Sequence, residues 1–175
     1  MRGVLPAFAV AVLLTACSSG PEAPEPKTAT TAIPSAAATT EAAHQATVEQ
    51  WAGEVAVLAG DWQDATDTWE EAVCSSIAAA EAVDCGARLV AMGFISQTAS
   101  ITLDGLQDEN GPTYLGAAPS QITSLLEETT QAARGAAAAA ELVDCPGEEC
   151  IGPASEFLRS WEALGDAYDK WAPYL

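Results

Sequence analysis

A chain of 175 residues with 25 acidic and 6 basic side chains carries a formal charge of −19. That field repels phosphate backbones and anionic headgroups, which excludes nucleic acid as a direct partner; cations and basic proteins stay allowed, and solvating helix faces is the ordinary use of such charge. The length suits one domain of ordinary size plus a tether.

The N-terminus shows Arg2, an apolar run from Val4 to Leu14, and then Leu14-Thr15-Ala16-Cys17. A basic start followed by a run much shorter than the roughly 20 residues that span a bilayer is the order of a secretory signal, not of a transmembrane anchor. The tetrapeptide LTAC resembles the lipobox of bacterial lipoproteins, with a branched apolar residue, two small residues and the cysteine that receives diacylglycerol. The resemblance implies that residues 1–16 are a signal peptide and that Cys17 becomes a mature N-terminus carrying two or three acyl chains of the palmitate type. Two chains suffice for stable anchoring, here on the outer face of the cell membrane.

Residues 17–40 then comprise Cys17 and SSGPEAPEPKTATTAIPSAAATT, rich in Pro, Ala, Thr and Ser, which reads as a linker. Extended near 3.1 Å per residue, it reaches on the order of 70 Å. The Ala-rich chain looks like secreted actinobacterial proteins, and that likeness makes the threonines beside prolines candidates for O-glycosylation.

Residues 41–175 carry helical periodicity in four segments and no sustained two-residue alternation, so an all-α domain is expected. The first runs from Glu41 to the neighbourhood of Ile77, with Val48, Trp51, Val55, Leu58, Trp62, Ala65, Trp69 and Ala72 spaced by threes and fours. Gly60-Asp61 does not shift this seam, so continuity is expected. The second runs from about Asp84 to Leu106 and is expected to bury Leu89, Met92, Ile95 or Phe94, and Ile101. A long loop follows, and Ser120 is placed to cap the third helix, with Ile122, Leu125, Leu126, Ala133 and Leu142 facing the core and Ala136 to Ala140 permitting close approach. The fourth begins after Gly152-Pro153, where proline suits a first turn, and buries Phe157, Trp161, Leu164, Tyr168 and Trp171. The expected architecture is an antiparallel four-helix bundle stapled by disulfides at one end. Large tryptophans facing alanines read first as packing, with a ligand cavity as the alternative.

In such a bundle Cys74, Cys85, Cys145 and Cys150 gather at one end. Outside the membrane they are expected to be oxidised, and the local pairs Cys74–Cys85 and Cys145–Cys150 close two corners. The first pair requires the chain to turn within SSIAAAEAVD, because an unbroken helix would hold the two residues about 16 Å apart. A zinc site or a redox pair is the rival reading; the sequence has no C-x2-C pair, and Glu148 and Glu149 disfavour a thiolate.

The chemistry of a catalyst is not visible. His44, the sole histidine, sits at the linker boundary, and no hydrolase, zinc-protease or nucleotide-binding motif occurs. No enzyme, cofactor or metal is expected. Asp61, Asp64, Asp67 and Glu70, and separately Asp104, Asp108, Glu109 and Asn110, are weak cation candidates, the second set lacking the alternating order of an EF-hand. Pro112, Tyr114 and Leu115, at the tip of the longest connection, form the candidate interaction loop unless Tyr114 and Leu115 fold back over the bundle end. The expected role is a cell-envelope lipoprotein carrying a non-enzymatic binding or interaction module for an envelope or extracellular protein. The alternatives are a carrier of a lipid or hydrophobic small molecule, and a phage-encoded surface lipoprotein that excludes superinfection.

Overall fold

The computed structural model describes residues 45–175; the expected signal peptide (1–16), Cys17, the expected linker and His44 lie outside them. Helix α1 spans Val48–Glu71 and begins at a capping box rather than at Glu41. The Thr47 hydroxyl accepts from the Gln50 N–H, and the Gln50 side-chain carbonyl accepts from the Thr47 N–H. The helix passes through Gly60-Asp61 unbroken, as its unshifted seam implies.

It stops at Glu71, short of the expected Ile77. Val73 N–H donates to the Glu70 carbonyl and Cys74 N–H to the Trp69 carbonyl, the paired bonds of a Schellman turn. Val73 therefore occupies the left-handed position at φ 53°, which for a β-branched residue costs about 1–2 kcal/mol. A short helix not foreseen from periodicity, α2 (Ser76–Glu81), is capped by Ser75 and ends at extended Ala82. The turn required by the first disulfide is thus made on both sides of SIAAAE, and Cys74 and Cys85 stand 5.5 Å apart at Cα. The second pair, Cys145 and Cys150, stands at 5.2 Å.

Helix α3 spans Val83–Gln107 and buries Cys85, Leu89, Met92, Ser96, Ala99, Leu103 and Leu106, an unbroken three-four seam. Of the alternatives Ile95 and Phe94 it is Ile95 that packs against the core, while Phe94 is 64% exposed; Ile101, at 72% exposed, is a correction to the expected core. Phe94 and Ile101 fall on the face opposite the seam, whose middle is supplied by the small residues Ser96 and Ala99. Helix α4 spans Thr123–Ala140. Ser120 does not cap it; Ile122 holds that position without a side-chain bond, and residues 119–122 form a turn in which Ile122 N–H donates to the Pro119 carbonyl. Leu142, beyond the helix end, is exposed rather than packed. Helix α5 spans Ile151–Asp169 after one 3-10 turn and buries Phe157, Trp161, Leu164 and Tyr168, with Trp171 just beyond it, as its periodicity predicts.

The four long helices pack antiparallel around two adjoining buried clusters bridged by Trp62. Arg88 of α3 reaches Thr68 of α1, Asp104 of α3 meets Arg134 of α4, Thr129 of α4 meets Trp171 beyond α5, and Trp62 of α1 meets Trp161 of α5. α3 and α4 approach closely because Gly93 faces Ala140, where an added Cβ would stand 3.2 Å from the alanine methyl. Both disulfides lie at one end, and Gly147 N–H donates to the Ala80 carbonyl, joining the two corners. At the other end Ala46 N–H donates to the Ala117 carbonyl, tying the start of the domain to the long loop. Trp51, Phe157 and Trp171 are fully buried and fill the interior between the helices.

Candidate functional site

The acidic candidates do not converge. Among the described residues no group of three His, Cys, Asp or Glu side chains is placed to hold a metal. Asp67 accepts from the Gln63 amide, Asp104 is paired with Arg134 at 2.6 Å, and Asp108 accepts from the Asn110 N–H in a local turn. The cysteines are consumed in their two staples.

The long loop folds back, as one of its two readings allows. Leu115 N–H donates to the Leu106 carbonyl, and its side chain packs against the core cluster around Trp51 and Leu103. Tyr114 and Leu115 are half-buried and Pro112 is exposed. Folding back does not remove them from the surface: with Ile101, Thr102 and Glu54 they line an open groove of about 690 Å³ between α1, α3 and the loop. The loop that sequence reasoning singled out therefore adjoins a residue it had assigned to the core.

Ile101 belongs to a longer feature. Val83, Val90, Phe94 and Ile101 follow one another at intervals of seven, four and seven, so they share one line along the outer face of α3 over roughly 27 Å. From Leu89 to Leu103 the helix has no charged side chain, in a chain of net charge −19. α3 is also the one helix among the described residues that is long and apolar enough to cross a membrane; with its inner seam packed in the bundle, that composition reflects apolar residues on both of its faces. Scattered exposed apolar residues are ordinary, but an aligned and uncharged row is the feature that marks contact surfaces.

A second concavity lies between α1 and α5, with a volume of about 490 Å³. Its walls include Trp62, Trp69 and Trp161, and its rim includes Glu70, Glu162, Asp166 and Asp169. Trp62 and Trp161 stack with centroids 5.8 Å apart. The Trp62 indole N–H donates to the Trp161 carbonyl, and the Trp161 N–H donates to the Thr66 hydroxyl. Trp62 lies flat on α5 because residue 165 is glycine: a Cβ there would come within 2.2 Å of the indole ring. Sequence reasoning read these tryptophans first as packing, which holds for the buried Trp69 and Trp161, with a ligand cavity as the alternative; it did not place a groove at Trp62. The available signal was Gly165, a poor helix former in the middle of a strongly periodic helix, at a site whose neighbours Glu162, Asp166 and Asp169 recur at three-four spacing.

Compared with known proteins, the chain matches no family model, no curated relative and no solved structure.

Proposed function

We propose that this chain is a lipid-anchored protein of the bacterial cell envelope, held on the outer face of the membrane through Cys17, whose helical domain is a non-enzymatic module for docking another protein. The observation that carries the reading is the uncharged apolar row Val90, Phe94 and Ile101 on α3, continued by Pro112 and Tyr114 of the loop. Water-exposed surface of that kind gains free energy when covered, at about 25 cal/mol per Å². The strong negative charge elsewhere repels mismatched acidic partners.

Filling of the interior by Trp51, Phe157 and Trp171 favours docking over the alternative of a hydrophobic-ligand carrier, which needs an enclosed space between helices. The partner is an envelope or extracellular protein presenting a complementary apolar face.

The test places a photo-cross-linking amino acid at position 94 of the full chain in its own host, with position 57 on α1, also exposed, as the control. An adduct with a different protein at 94, absent at 57 and lost on Ile101→Glu, supports docking. Adducts only within the chain or with a second copy, or equal adducts at both positions, overturn it. A Cys17→Ser variant is expected in the medium; its retention on cells would remove the lipid anchor from the reading.

A further inference from the structure

The groove between α1 and α5 has a chemistry of its own, unrelated to the outer face of α3. We propose that it binds a linear aliphatic polyamine, an unbranched chain of methylenes carrying two or more ammonium groups.

The first argument is what the groove offers a ligand. The indole N–H groups of Trp62 and Trp161 are spent on the Trp161 carbonyl and the Thr66 hydroxyl, and that hydroxyl donates in turn to the Trp62 carbonyl. The partly exposed ring of Trp62 and the carboxylates are left, Trp69 and Trp161 being buried behind it. A site of acceptors and aromatic faces rejects anions and carbonyl-rich ligands, and suits a donor-rich cation on an apolar stem, since ammonium is attracted to the face of tryptophan.

The second argument is charge. No basic side chain lines the groove. The four basic residues among the described ones are engaged elsewhere: Arg134 with Asp104, Arg159 with Glu156, Lys170 with Glu128, and Arg88 with the Thr68 carbonyl. Arg159 and Lys170 lie one turn from Glu162 and Asp166 on α5 but pair with Glu156 and Glu128, so among the described residues the rim carboxylates have no paired counter-charge, and a bound cation would supply it.

The third argument is spacing. Glu162, Asp166 and Asp169 stand at i, i+4 and i+7 on α5, in steps of about 6 and 4.5 Å along the axis. Three or four methylenes separate two amine nitrogens by roughly 5–6 Å at ordinary single-bond lengths of about 1.5 Å. A polyamine lying along α5 thus meets a carboxylate with each nitrogen while its methylenes lie against the Trp62 ring over Gly165. A metal ion uses the carboxylates and ignores the rings; a single amine meets one carboxylate and gains nothing from the row.

The experiment titrates the full-length lipidated protein, purified in neutral detergent, with spermidine at 150 mM NaCl, following tryptophan fluorescence and heat. Saturable one-to-one binding is expected, at least tenfold tighter than butylamine and absent for 1,4-butanediol. Asp166→Asn combined with Glu162→Gln is expected to weaken it at least tenfold, whereas Glu148→Gln with Glu149→Gln, an equal charge change at the cysteine end, leaves it within twofold. Circular dichroism checks that both variants remain folded. Equal losses in the two double variants, full displacement by magnesium at matched ionic strength, or the lack of saturation would overturn the proposal. So would binding of a lysine-rich peptide but not of spermidine, which would assign the groove to a protein partner.

Discussion

Helices α3 and α5 stand diagonally across the bundle, each packed against α1 and α4, and they use apolar residues in opposite ways. α5 commits Phe157, Trp161, Leu164 and Tyr168 to one buried stripe and keeps Glu156, Glu162, Asp166 and Asp169 in water. α3 buries a seam that is partly small, with Ser96 and Ala99 at its centre, and sends Val90, Phe94 and Ile101 outward. A helix that only has to fold has no reason to carry large apolar side chains on its wet face. The contrast separates residues that hold the domain together from residues whose burial awaits something else.

That separation can be broken by measurement. The largest effect is expected at the end of the α5 stripe: Trp171→Ala removes a fully buried indole whose N–H donates to Thr129, and should cost about 3–5 kcal/mol in urea unfolding. Gly165→Ala comes next. In an exposed helix the change would stabilise by about 1 kcal/mol, but here the new methyl meets the Trp62 ring, so a loss of about 1–3 kcal/mol is expected; a gain would mean that Trp62 does not lie on α5.

A smaller effect concerns Tyr168, whose hydroxyl is buried without a partner among the described residues. Burial first, and the Asp61 charge second, push its phenol above the ordinary tyrosine value. The folded state then holds its proton at pH values where the unfolded chain has released it. Stability contributed in this way is complete below about pH 10 and is lost as pH rises further. Tyr168→Phe should flatten that alkaline decline, and a decline unchanged by the substitution would assign it to other groups. The smallest effect is expected on α3, where Phe94→Ser and Ile101→Ser should each stay within about 0.5 kcal/mol of the parent. A loss of 2 kcal/mol at either site would show that the face is already covered and would sink the docking proposal.

The same contrast explains what could be read in the residues alone. The buried stripe of α5 was legible because its apolar positions lie on one line and nothing competes with it, although the helix starts at Ile151, ahead of the expected Gly152-Pro153. The cysteine corners were legible too, since chain-local pairing and antiparallel packing put both at one end. α3 was misread at Ile101, and left open between Ile95 and Phe94, because periodicity cannot rank two apolar faces; volume favours the larger residues, whereas the packing selected small ones that let α3 approach its neighbours. The end of α1 was misread because a Schellman turn usually announces itself with glycine, and here Val73 takes the left-handed position. The Trp groove was hidden for a different reason: whether an indole is filler or wall depends on which partner lies across it, and Trp62, Gly165 and Trp161 come together only in the folded bundle.

The bond between Ala46 and Ala117 lies at the end opposite both disulfides, and this gives the domain a mechanical polarity. Tension arriving along the N-terminal segment first loads one hydrogen bond and the Thr47–Gln50 capping box, and then peels α1 turn by turn from the other helices. Cys74 is the first covalent stop, after roughly 55 Å of slack has been released, with α2 to α5 still stapled together. Because α1 contributes Trp62, Trp69 and Glu70 to the aromatic groove, the groove sits on the most extractable helix of the fold, and a load applied ahead of Ala46 dismantles its wall before the stapled end yields.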